Sequence, residues 1–138
     1  MKQPTTENSD IIKLVAILGD FALLNLSMIL VFFILKGIDS QAIAHISLKT
    51  YLLTSNLCYI PCISIFGIIL HNRIVRPEQI VGRLLGTISL HVVIFLTVLA
   101  IIKVDNFSRI YLLAFYLSFT PLAIGWRLTL RFFVKMFR

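Results

Sequence analysis

The chain has 138 residues, 59% of them hydrophobic and only 14% charged, which is too little polar surface to coat a water-soluble globule. Thirteen Lys and Arg against six Asp and Glu give a formal net charge of +7. The cations sit in short clusters between apolar runs and form no solvated face with exposed aromatics. That pattern excludes nucleic acid as a partner and fits the basic flanks of membrane spans, with the lipid bilayer as the partner.

Residues 1–10 are polar and are expected to be frayed. A first span is predicted over Ile11–Leu35; it is too long for a signal-peptide core and no small-residue cleavage site follows it, so it is expected to be retained. Asp20 lies inside it, roughly 10 Å beyond Lys13. After the segment Lys36–Thr50, a second span is predicted over Tyr51–Leu70, containing Asn56, Pro61 and the cysteine pair Cys58 and Cys62. The i, i+4 spacing places both thiols on one helix face, where they read as small packing residues.

In the segment His71–Arg83, the run Arg76-Pro77-Glu78-Gln79 reads as a helix start. Proline in a first turn loses no hydrogen bond, and a carboxylate there meets the positive end of the helix dipole. The third span, Leu84–Ile102, therefore begins as an amphipathic turn at Pro77. Gly82 and Gly86 form a small-xxx-small pair at its start, a packing face for a neighbouring helix or a second copy. His91 falls near mid-membrane and is expected to be hydrogen-bonded. Lys103–Arg109 leads to the fourth span, Ile110–Trp126, interrupted by Pro121. It passes without a break into residues 127–138, where Arg127, Arg131, Lys135 and Arg138 fall within an arc of roughly 80°. Such a basic amphipathic helix suits the headgroup zone of a membrane.

The fold class expected is therefore all-α: an integral membrane four-helix bundle over 11–126 with a C-terminal amphipathic helical extension. The N-terminal segment, the middle loop and the tail carry nine cations, and the other two loops four. This asymmetry places both termini in the cytoplasm of a multi-pass membrane protein.

A catalytic centre needs convergent ionisable groups, and five of the six carboxylates lie in termini or loops. Histidines 45, 71 and 91 are scattered, so no zinc set arises, and no Gly-rich phosphate loop follows a predicted strand. No catalytic, cofactor or metal residue is assigned. Asp20 has two readings: a buried partner for Arg83 or Arg127, or a proton-coupling carboxylate of a small transporter.

The run Lys13-Leu-Val-Ala-Ile-Leu-Gly-Asp20, the stretch Arg73-Ile-Val-Arg-Pro-Glu-Gln-Ile80, Phe107-Ser-Arg109, and Trp126-Arg127 with Arg131, Lys135 and Arg138 resemble, in that order, the N-terminal region of one family. This family is the bacterial polyprenyl-phosphate glycosyl-1-phosphate transferases, or undecaprenyl-phosphate sugar transferases, of capsule and exopolysaccharide synthesis. Membrane-bound nucleotide-sugar dehydratases are similar over the same spans. The resemblance implies a four-span membrane domain in the bacterial inner membrane. It implies undecaprenyl phosphate and other polysaccharide-assembly proteins as partners. Magnesium is expected only with a catalytic domain that this chain lacks. By the same resemblance Asp20, Arg109 and Arg127 are structural residues of the membrane part. Three readings follow: a truncated or split membrane domain of such a transferase, a small four-span transporter or flippase of lipid-linked sugars, and a membrane interaction module.

Overall fold

A computed structural model describes residues 6–41, 44, 46–66, 76–103 and 108–136. His45, His71, Arg73, Arg138 and the last four residues of the predicted second span, 67–70, lie outside the described residues. Among the described residues there are four helices and no strand: α1, Thr6–Ile38; α2, Leu48–Phe66; α3, Pro77–Ile101; and α4, Arg109–Met136. Helix is the only open-ended structure that satisfies its own backbone in lipid, and each run is rich enough in Leu, Ile, Phe and Val to bury or expose apolar side chains all round.

The helix ends follow local chemistry. Pro77 opens α3 with Glu78 in its first turn, and Ser108 accepts the backbone N–H of Tyr111 on its Oγ at 3.3 Å to cap α4. Past the C-cap residue Ile102, Lys103 takes a left-handed φ of 52° and ends α3. The first ten residues are not wholly frayed, since α1 is already helical from Thr6. Pro61 and Pro121 both lie within continuous helices, on exposed sides.

Each helix is antiparallel to its neighbours in a closed ring: α1 lies beside α4 and α2 beside α3 over their longest contacts, and α1 with α2 and α3 with α4 complete it. The register of α1 on α4 is fixed by Asp20 against Arg127 at one end and by the Tyr111 hydroxyl donating to the Met28 carbonyl, 3.1 Å, towards the other. Aromatic rings fill the middle. Tyr51 meets Tyr111 and Phe95 edge-on, Tyr59 meets Phe119 edge-on, and Phe115 stacks on Phe119. A second, smaller apolar cluster lies beyond the ion pair, where Ala16 and Ile80 pack with Ile12, Ile63 and Leu130.

The outer surface is as apolar as the core, with Leu53 and Leu117 each 72% exposed. Three helices are long and apolar enough to cross a membrane: α1 from Asp10, α3 and α4. The described part of α2 carries Lys49, Thr54, Ser55 and Asn56 in 19 residues and is not among them. Hydroxyls on these helices donate to carbonyls one turn back, as Thr97 does to Val93 at 2.7 Å and Ser64 to Ile60 at 3.0 Å, so they can face lipid without an unmet donor.

Candidate functional site

Asp20 and Arg127 form the most polar point in the bundle. Asp20 is fully buried and Arg127 is 7% exposed. Arg127 Nε donates to Asp20 Oδ1 at 3.1 Å and its Nη2 donates to Oδ2, a side-on fork in which both carboxylate oxygens are used. The Tyr59 hydroxyl of α2 adds a third donor to Oδ2 at 3.4 Å. One residue earlier on each helix, Gly19 faces Trp126, and a Cβ at position 19 would overlap the indole ring. Two adjacent residues on α1 thus clasp two on α4, the glycine allowing close approach and the ion pair fixing depth. The indole Nε1–H is buried and finds no partner among the described residues.

Of the two cations that could meet Asp20, Arg83 goes elsewhere: it is exposed and its Nη1 donates to the Phe66 carbonyl at 3.0 Å, taking up the described end of α2. Gly86 is where Phe66 packs, its ring atom 2.6 Å from the position of an added Cβ. Gly82 meets nothing within 4 Å, so only half of the small-xxx-small pair is used inside the bundle. Arg109 is exposed in the first turn of α4.

The basic stripe expected along residues 127–138 is corrected at its first member. Arg127 does not reach the membrane surface, because α4 turns it into the bundle to neutralise Asp20. Arg131 is half-buried on the same side and Lys135 is exposed. The outward face carries Leu128, Phe132, Phe133 and Met136 instead.

Most mid-bundle polar groups are paired, although the buried Tyr51 hydroxyl finds no partner among the described residues. Asn25 and Asn56 exchange amide hydrogen bonds of 2.7 and 3.1 Å, and the remaining N–H of each donates to the carbonyl one turn back. His91 ties three helices together. Its Nε2 lies 3.1 Å from the Ser55 carbonyl, which can only accept, so the ring proton sits on Nε2. Nδ1 then accepts from the Tyr116 hydroxyl at 3.0 Å. The ring stacks on Phe95. Tyr59 and Tyr116 carry no motif in the sequence; the only signal for them is a phenol within a span, an apolar body whose hydroxyl needs a buried partner.

Among the described residues no three His, Cys, Asp or Glu side chains come together as a metal site would require. The clasp is a charge-paired contact in which one guanidinium engages both oxygens of Asp20.

Comparison with known proteins gives one finding. Residues 64–138 match a family described as a CoA-binding domain, one found in sugar-transferase family proteins. No curated protein and no solved structure matches the chain. The match takes in the end of α2, all of α3 and all of α4, more than half of the sequence, and the chain belongs to this CoA-binding-domain family.

Proposed function

We propose that the chain is the membrane-anchoring domain of a sugar-phosphate transferase that loads a polyprenyl-phosphate carrier for exopolysaccharide or capsule synthesis. On this reading it lies in a bacterial inner membrane with both termini cytoplasmic, and a catalytic domain outside this chain supplies the transfer chemistry. The observation that carries the reading is the family match, which falls on α3 and α4, two helices long and apolar enough to cross a membrane. The charge asymmetry between loops supports the orientation. The clasp supports an anchoring role: α4 is held at a fixed depth against α1, so whatever follows α4 is held there too.

The family description raises coenzyme A, whose diphosphate needs a cradle of backbone N–H groups and cations. The described residues of the matched region do not fit it. They form no strand-to-helix turn, Arg127 is spent on Asp20, Arg83 is engaged with the Phe66 carbonyl, and the exposed Arg76 stands at a helix start where Pro77 has no N–H and the Gln79 and Ile80 N–H groups donate to the Arg76 carbonyl. No step is therefore routed through that cofactor. A proton-coupled transporter is also disfavoured, because both oxygens of Asp20 are engaged by a guanidinium.

Replacing the membrane domain of an active transferase of this class with residues 1–138 should give a membrane-bound enzyme that moves sugar phosphate from a UDP-sugar to undecaprenyl phosphate. The chain by itself should give none. A chimera that inserts and stays monodisperse but is inactive, or turnover by this chain alone, overturns the proposal.

A further inference from the structure

The register of α1 on α4 places several helix ends at one level. Below the Asp20–Arg127 pair, Lys13 on α1 and Arg131 and Lys135 on α4 lie within roughly 5–12 Å along the axis at 1.5 Å per residue. Ile80 of α3 packs on Ala16 and Leu130 in the lower cluster, which brings the exposed Arg76 and Glu78 to the same band. The band carries more cations than carboxylates, and Lys13 already pairs with Asp10 at 3.5 Å. In this band α4 turns Phe132, 64% exposed, and Met136, 61% exposed, outward, on the same side of the helix as the exposed Leu113, Leu117 and Leu128. The inner side of the same two turns is held by Leu130 in the lower cluster, so α4 stands upright here and does not lie flat.

We infer that this band is a binding surface for the headgroup layer of one leaflet, with acidic phospholipid as the occupant. Phe132 and Met136 enter the boundary between acyl chains and glycerol, and Arg131, Lys135 and Arg76 meet the phosphates. The charge balance argues for acidic lipid, and continuity with the apolar belt argues for bilayer over protein. An interfacial layer of roughly 5–8 Å per leaflet matches the depth of the band. The ion pair then sits about one helical turn inside the hydrocarbon. The inference rests on the membrane reading proposed above.

The 138-residue chain carrying one added cysteine at Gln41, Leu117, Phe132 or Met136, in nanodiscs of phosphatidylcholine with or without phosphatidylglycerol, tests it. The chain with only its buried Cys58 and Cys62 serves as the blank. A fluorophore at 132 or 136 should be quenched most by a headgroup-level nitroxide lipid, and one at 117 by a mid-chain nitroxide. An aqueous maleimide should label 136 about tenfold more slowly than 41. Phosphatidylglycerol should slow it further, and Lys135→Gln should remove that added slowing. Labelling of 132 and 136 as fast as 41, with no quenching at either, overturns the inference while 117 remains quenched. Protection at 132 and 136 that appears in native membranes but not in nanodiscs also overturns it, in favour of a protein occupant. No quenching at 117 would instead overturn the membrane reading itself. Absence of any phosphatidylglycerol effect overturns the choice of acidic lipid.

Discussion

At the scale of the residue, the buried fork between Asp20 and Arg127 sets most of what a mutation can do. Removing one partner leaves a desolvated charge, which costs about 3–5 kcal/mol in a protein interior, whereas removing both leaves only a packing defect. Asp20→Asn or Arg127→Met should therefore lower the midpoint of thermal unfolding in detergent sharply. The double variant should recover most of the loss; if it is as unstable as the sum of the two, the pair is not coupled and the fork is incidental. The need for a partner was legible in the sequence, because an acid at membrane depth cannot remain unpaired. Which cation fills the role was not, since Arg83 and Arg127 both sit near the right depth. Adjacency around the ring, with α4 and not α3 beside α1, makes the choice, and no helical period encodes it.

At the scale of the element, glycines divide by what lies opposite them. Gly19 faces the Trp126 indole and Gly86 faces the Phe66 ring, while Gly82 faces open space. Gly19→Leu and Gly86→Leu should each cost a few kcal/mol through forced helix separation, and Gly82→Leu should fall within about 0.5 kcal/mol of the parent. Thermal unfolding of the three variants in one detergent measures this. Equal losses at 82 and 86 would mean that both glycines line a contact beyond the bundle. The start of α3 followed sequence chemistry closely at Pro77, where a missing N–H dictates it, whereas the Ser108 cap of α4 lies ahead of the span expected from Ile110 and hydropathy does not mark it. The phase of the last helix was harder to read. Arg127, Arg131 and Lys135 were correctly spaced as a stripe, but spacing alone does not say which way a stripe faces. With Leu130 caught in the lower cluster, the stripe starts inside the bundle at Arg127 and comes out to the surface by Lys135.

At the scale of the whole molecule, two antiparallel pairs share a core whose polar contacts are satisfied largely across helices. The Asn25–Asn56 exchange joins α1 to α2, and His91 joins α3 to both α2 and α4. The exposed cations Arg76 and Arg109 stand at helix starts whose N–H groups are largely taken: those of Gln79 and Ile80 donate to the Arg76 carbonyl, those of Tyr111 and Leu112 to Ser108. Coenzyme A at about 1 mM should therefore leave the thermal midpoint unchanged, since only a ligand that binds the folded state raises it. A clear rise, reversed by dilution of the ligand, would overturn this expectation and show that the chain binds coenzyme A.

The clasp between α1 and α4 also has a history in time. Asp20 and Arg127 are 107 residues apart in the chain. At roughly 5–20 residues per second of synthesis, the acid is made some 5–20 s before its partner exists. During that interval Asp20 has no guanidinium to meet, and the Tyr59 hydroxyl is the first of its partners to be made.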